Sequence, residues 1–463
     1  MSAPVTSITH NEPSAQAPSR GSRWWVAGRA LLHRNFQLFF GGQLISLIGT
    51  WIQNIAQAWL VYRLTGSALL LGSVGFASQI LVFLLAPLGG LAADRFNRQR
   101  IVVAMQTASM LLAFTLARLT LSGKVQVWHV FVLAALLGAV NAFDIPSRQA
   151  FLVDMVGKDD LMNAIALNSS IINGARMIGP AVAGILVAKI GEGWCFFANG
   201  LSYMAVIAGL LLMRVRCPRG TLDRSPLHQL TEGFRFVRST APIRALLLLL
   251  ALVSLVGMPY VVLMPIFADR ILHSGARGLG ILMGATGVGA LLGALTLAFR
   301  QGINGLLRWV PWCCGGFGAG MLLFSFSRSF WWSVFLLLPV SYCMLLQMAC
   351  SNTLIQAMVP DALRGRVMAI YSMTFMGMPP FGALLGGALA DRMDAPIAVA
   401  LGAVASMGAA LLFAVHLPNL GNAQRLILAH TVAGRDQADV ISARVAEGQD
   451  AQRHGSRPTD GSA

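Results

Sequence analysis

Arg176 is the hardest side chain in this sequence to place. It lies inside an apolar stretch running from about 163 to 189, and a lone arginine at the centre of a membrane helix costs about 2.5–3.5 kcal/mol. Ser169, Asn173 and Pro180 share its helical face. An earlier apolar stretch carries a second polar stripe at steps of three and four, Gln43, Ser46, Thr50, Asn54 and Gln57. Polar stripes on apolar helices must face protein or water, so the two predict walls of one cavity; for any single Ser, Thr or Gln an interhelical hydrogen bond serves equally well. The second half of the chain adds Tyr260, Gln347 and Ser351, with Ser254, Tyr371 and Thr374. In such a cavity Arg176 would attract an anionic ligand group; a structural pair with Asp144 or a backbone carbonyl is the equal alternative. Asp144 is the acid best placed to exchange a proton after desolvation, although with Arg148 four residues on it could equally belong to a gate. No cluster of His, Asp or Glu falls inside these stretches, and the 6 Cys form no CxxC or CxxH pattern. Neither an enzyme, a metal centre nor a cofactor site is expected.

The elements that hold these residues follow from composition. At 463 residues, 56% hydrophobic and only 11% charged, with mean hydropathy +0.67, the chain has less than half the roughly 25% charge of a soluble domain. Its surface must therefore face lipid. Twelve apolar stretches, from 36–62 to 396–416, are each long enough to cross about 30 Å of hydrocarbon as a helix. Residues 1–35 lack the apolar core of a cleaved signal, so the first span is expected to be retained.

The net charge of +16 would suggest nucleic acid in a soluble protein. Sorted by segment it has another meaning, because Lys and Arg accumulate on the cytoplasmic side of membrane proteins. Of the 34 bases, twenty-five fall in the segments that share a side with both termini, eight on the opposite side, and Arg176 within a span. Both termini are expected to be cytoplasmic, and no nucleic-acid partner is needed.

The resulting plan is all-α: a polar tail (1–35), six helices (36–213), a basic linker (214–244), six helices (245–416) and a second polar tail (417–463). The linker carries seven arginines, and its Leu227, Leu230, Phe234 and Val237 recur at helical spacing. Either an amphipathic helix on the lipid surface or a solvated, topology-setting link accounts for it. Weak internal repeats support duplication. Asp159-Asp160-Leu161 returns 202 positions later as Asp361-Ala362-Leu363, and GGLAADRFN (89–97) is echoed by AGILVAKIG (183–191) and GGALADRMD (386–394). Parallel halves built of inverted three-helix units are the plan of one large transporter class.

The segment Gly90 to Arg100 resembles the signature G-x-x-x-D-R-x-G-R-[RK] of the major facilitator superfamily, departing at Asn97 and Gln99. The resemblance implies a cytoplasmic gate made by Gly90, Asp94, Arg95 and Arg98, joined by Arg148, that latches the two halves when the protein faces outward. Asn tolerates positive φ, so the turn at Asn97 is expected to survive. The loop at the matching place in the second half, Gly293 to Arg308, has no acid.

Trp59 to Ser67, Pro146 to Asp154, Asn163 to Ser169 and Arg364 to Val367 are similar to a bacterial subgroup, the enterobactin-exporter-like and drug/proton antiporters. Gly174, Gly179, Pro180 and Gly184 look like that group's G-x-x-x-G-P-x-x-G-G helix-packing motif with altered spacing. The superfamily's fourth-span arginine has no match between Trp128 and Phe143. What the resemblance implies is a monomeric secondary transporter in the bacterial inner membrane, exporting a small amphipathic drug or siderophore-like molecule against protons by rocker-switch alternating access. An uptake or facilitated-diffusion carrier of the same fold is the alternative, and a non-transporting receptor ranks behind both.

Overall fold

In the computed structural model the described residues are 29–422 and 424, less 158, 214, 216–225, 301 and 304. Most of the two polar tails and part of the basic linker therefore lie outside the described residues, as do the side chains of Asn173, Leu227 and Leu230. The described chain is helical throughout. After a short 3-10 turn come α1 (Arg34–Thr65), α2 (Ala68–Arg95), α3 (Arg98–Leu121), α4 (Val127–Val156) and α5 (Leu161–Leu212). The linker contributes α6 (Pro226–Ser239). There follow α7 (Ala241–Ile271), α8 (Gly275–Ala298), α9 (Leu306–Phe326), α10 (Phe330–Met358), α11 (Asp361–Met393) and α12 (Ala395–Asn422).

Eleven of these helices are long and apolar enough to cross a membrane. The sequence predicts separate spans at 163–189 and 194–213, whereas α5 runs for 52 residues. At 1.5 Å per residue it would measure about 78 Å, more than twice the hydrocarbon thickness. Gly191, with φ 80 and ψ 169, breaks it, a conformation that glycine adopts without steric cost.

Local chemistry sets the helix ends. Gly66 closes α1 in the left-handed region, and the Ser67 hydroxyl accepts from Leu70 N to start α2. Asn97 keeps the signature's turn by a route other than the expected positive φ. Its φ is −65 and its side chain accepts from Arg100 N, capping α3 as Asn commonly does. In α7, two π-helical turns, Val253–Gly257 and Phe267–Ile271, flank the segment holding Pro259 and Pro265.

Within the first set of helices α1 packs on α5, α2 on α4, and α3 on both α4 and α5. In the second, α10 packs on α8 and α9, and α11 on α7. Two long seams join the sets, α2 with α11 and α5 with α8. A Cβ added at Gly184 would lie 2.5 Å from Gly280 Cα, and one at Gly72 2.3 Å from the Ala383 carbonyl. Small residues let backbones touch here, as in membrane helix pairs generally. The seam contacts run from the end bearing Gly66, Gly191 and Asp394 toward the middle, through Gly284–Ala181, Gly287–Met177 and Phe83–Gly377. Tyr62, Ser67, Ala68 N and Arg270 join the two sets by hydrogen bonds at the Gly66 end.

The linker helix docks on protein, which neither sequence reading anticipated. Glu232 pairs with Arg366 of α11, Gly233 abuts Arg366 and Ile370, and Val237 is buried in the second set's core.

Candidate transport cavity

Arg176 stands fifteen residues into α5, about 22 Å from the start of the helix, and its side chain is exposed in the central opening. It lines two adjoining compartments, of 430 Å³ and 250 Å³. The larger is walled by Trp51, Asn54 and Gln57 of α1, Ser78 and Gln79 of α2, Met258 and Val262 of α7, and Pro379 of α11. The smaller is walled by Tyr260 of α7, Thr286 of α8, Ser341, Met344, Met348 and Asn352 of α10, and Tyr371 and Phe375 of α11. Trp51, Arg176, Met258, Val261 and Met283 belong to both. No carboxylate among the described residues pairs with Arg176. The alternative pair with Asp144 is not formed, because Asp144 is engaged elsewhere: Gln106 Nε2 donates to it at 3.1 Å and Arg148 lies at 3.3 Å.

The remaining polar positions fall in different places. Asn54, Arg176 and Tyr260 line the compartments, and Ser169 is exposed two turns nearer the linker end. Gln43 and Ser46 are instead buried, and Thr50 donates to the Ser46 carbonyl at 2.9 Å. Their face of α1 meets the far part of α5, where Gly49 abuts Asn199 and Ser202 and Asn199 donates to Gln53 at 2.7 Å. Gln347 and Ser351 are also buried. Ser351 donates to the Gln347 carbonyl at 2.7 Å, while Met344, Met348 and Asn352 present the cavity face of α10. Sequence polarity gave no signal for Trp51, Met258 and Met344, since apolar cavity walls read like lipid-facing surface. Ser78 and Gln79 were a readable polar pair that sequence reasoning missed. Among the described residues no three His, Cys, Asp or Glu gather as a metal site.

The signature residues sit at the linker end, and among the described residues none of them forms an ion pair with the second set. Arg98 donates to both Asp154 oxygens at 3.1 Å and to the Ala93 carbonyl, all within the first set. Arg148 is turned to Asp144 on its own helix. Asp94 and Arg95 are exposed. Of the two glycines that open this segment, Gly89 is the one in close helix contact, since a Cβ there would meet the Ala142 carbonyl at 2.0 Å; nothing lies within 4 Å of a Cβ at Gly90. In the α5 motif, Gly174 likewise faces open space, Gly179 packs on Trp51 within the first set, and the Pro180 carbonyl and Gly184 meet Gly280 across the seam.

The closed end is held by polar contacts between the sets. Tyr62 donates to Asp269 at 2.8 Å and Arg270 to the Gly66 carbonyl at 2.8 Å. Asp391 receives hydrogen bonds from Ser67 and from Ala68 N.

The sequence profile of the major facilitator family described as transmembrane secretion effector matches residues 28–440. The chain belongs to this family. Among curated relatives, the staphyloferrin A transporter of Staphylococcus aureus is 25% identical, over 76% of this chain and 89% of the relative. The enterobactin exporter EntS of Escherichia coli O1:K1 is 24% identical, over 81% and 90%. Among solved structures, the nucleoside transporter NupG superposes with TM-score 0.66 at 14% identity, covering 82% of this chain and 98% of NupG. A bacterial homolog of the lysosomal transporter Spinster, in an inward-facing, unoccupied conformation, gives TM-score 0.60 at 15% identity, covering 89% and 99%. These likenesses give the chain the fold of the solved transporters, and its curated relatives include a staphyloferrin A transporter and an enterobactin exporter.

Proposed function

We propose that this protein is a proton-coupled exporter of a small amphipathic anion, working by rocker-switch alternating access in a bacterial inner membrane. The observation that carries the reading is Arg176. It has no carboxylate partner among the described residues and stands midway along a membrane helix with its side chain exposed to the cavity, the placement that marks a substrate pathway and offers its charge to a ligand's negative group. In this reading Gly191 is a turn, α5 counts as two spans, and the total is twelve in two bundles (36–213 and 245–416) joined by the basic linker. Both termini are cytoplasmic by the distribution of arginines, so the structure faces inward. The seams α2–α11 and α5–α8 are the surfaces about which the bundles rock. Support for siderophore-like cargo comes from the two relatives, and Asp144, buried beside Gln106 and Arg148, is the acid assigned to proton exchange.

The experiment is transport of a labelled carboxylate-bearing siderophore by the purified monomer in proteoliposomes, with and without an imposed pH gradient. Accumulation on the outer side driven by protons, lost in Arg176→Gln at equal protein levels, is expected. Unchanged affinity in Arg176→Gln would remove the anion site, accumulation in the opposite direction would make this an uptake carrier, and indifference to the gradient would remove proton coupling.

A further inference from the structure

The two compartments that meet at Arg176 draw their hydrogen-bonding groups and their aromatic rings from different helices. Those of its side chains that the 430 Å³ compartment does not share include four uncharged polar groups, Asn54, Gln57, Ser78 and Gln79, all from α1 and α2 of the first set. The 250 Å³ compartment is walled from α10 and α11 of the second set by Met344, Met348, Tyr371 and Phe375. Met258, Val261 and Met283 line both, so apolar side chains mark the boundary between them. Arg176 is the charged residue that reaches both sides.

Size and surface narrow what each compartment takes. An apolar cavity of about 150 Å³ binds benzene, so 250 Å³ accommodates one substituted aromatic ring and not two. Its walls suit a flat π-system: Tyr371 and Phe375 lie nearly parallel, at 11° with centroids 6.3 Å apart. Thioether sulfurs favour aromatic edges, and two methionines of α10 supply them. Asn352, Ser341 and Thr286 also line this compartment and offer hydrogen bonds to a ring substituent. Along its α1–α2 wall the larger compartment offers three carboxamides and a hydroxyl, from Asn54, Gln57, Gln79 and Ser78, facing apolar Val262, Pro265 and Leu279, which suits a flexible arm that carries its hydrogen-bonding groups on one side.

We infer that the cargo is a two-armed anion whose negative group sits at Arg176, with an aryl arm in the Met344–Tyr371–Phe375 compartment and a polar, hydrogen-bonding arm in the Asn54–Gln57–Gln79 compartment. The inference rests on the reading of this cavity as the cargo site and adds which part of the ligand each wall selects. Specificity then divides between the helix sets: the first set reads the polar arm and the second reads the ring.

The test uses the full chain in lipid nanodiscs and three probes titrated calorimetrically. N-benzoylglutamine places a carboxylate between a benzoyl ring and a carboxamide arm, N-acetylglutamine lacks the ring, and N-benzoylalanine lacks the carboxamide. The expected order is benzoylglutamine tightest by roughly tenfold over either one-armed probe, the scale of discrimination when a group leaves a fitted pocket. Tyr371→Ala should abolish the benzoyl-over-acetyl preference while leaving acetylglutamine affinity in place, and Met344→Ala, a smaller change at the same wall, should reduce it. Asn54→Ala should instead abolish the preference over benzoylalanine. Uniform weakening of all three probes by these substitutions, or equal affinities for the three in the unsubstituted protein, overturns the two-arm assignment. In either case binding that still falls in Arg176→Gln leaves the anion site standing, whereas binding indifferent to Arg176, or no binding of any probe, overturns both.

Discussion

Asp391, in the last turn of α11, accepts a hydrogen bond from Ala68 N at 2.7 Å and another from Ser67 Oγ at 2.8 Å, so a carboxylate of the second helix set caps the first turn of α2 in the first. Helix N-termini present unsatisfied N–H groups and a partial positive charge, and here the satisfying acid comes from 323 residues away in sequence. Parting of the two sets at this end would break the contact.

Replacing Asp391 by Asn should therefore shift the protein toward opening at this end. Exposed carboxylates at helix N-termini contribute about 0.3–1 kcal/mol, so the population ratio should move roughly two- to fivefold. Labelling of a cysteine introduced at Ala383 by an impermeant thiol reagent, added from the side opposite the linker, reads the change. Tyr62→Phe, which removes the donor to Asp269, should add to the effect because the two contacts share no atoms. Labelling unchanged in the double variant would mean that the helix seams alone hold the end shut.

Arg98 and Asp154 call for the opposite expectation. The Asp154 side chain is 4% exposed and Arg98 16%, and removing one partner of a buried ion pair costs about 3–5 kcal/mol. Arg98→Ala should accordingly lower the yield and thermal stability of the protein in detergent. Asp154→Asn combined with Arg98→Gln should recover part of the loss, since no unpaired charge is left. A stable, well-expressed Arg98→Ala protein altered only in transport would return this arginine to a purely gating role.

The spans were readable in sequence because hydrophobicity is additive along a segment, and Arg176 because one cation in an apolar run has no cheap explanation. Direction within a helix was harder. Gln43, Ser46 and Asn54 belong to one polar stripe, yet Gln43 and Ser46 are buried against neighbouring helices and Asn54 opens into the cavity. Spacing fixes which residues share a face; which helix covers that face depends on tertiary packing. Trp51 and Met344 were invisible for the converse reason, being apolar residues that meet ligand space instead of lipid. The repeat GGALADRMD was visible, but its role needed Ser67 and Ala68, which only the α2–α11 seam brings near. The π turns of α7 had no periodic signal, because each adds one residue to a turn without changing composition.

Asp144 tests coupling separately from binding. It is 3% exposed, accepts from Gln106 and faces Arg148. Asp144→Asn keeps the carbonyl that Gln106 donates to and removes the carboxylate proposed to take up the proton. Downhill cargo exchange between the two sides of proteoliposomes should persist, and acceleration by an imposed pH gradient should vanish. A gradient response equal to that of the unsubstituted protein would exclude Asp144 as the proton carrier.

The α5–α8 seam gives the sharpest steric prediction. A Cβ at Gly184 would stand 2.5 Å from Gly280 Cα and 2.8 Å from its N, atoms of backbone that cannot rotate aside. Overpacking of this kind costs about 1–3 kcal/mol, and under the proposed rocker-switch movement the cost falls on the state in which the seam is closed. Gly184→Val should thus favour the state open at the Gly191 end, raising labelling there and slowing transport, while thermal stability falls less than closure does because the helices can part along the seam. Gly174→Ala, on the same helix with nothing within 4 Å of its Cβ, should leave that labelling unchanged. Distances between spin labels on α5 and α8 near this end would distinguish parting of the seam from local unfolding: a longer but still narrow distribution in Gly184→Val is the expected result, and an unaltered one would mean that the two helices do not need this contact to close.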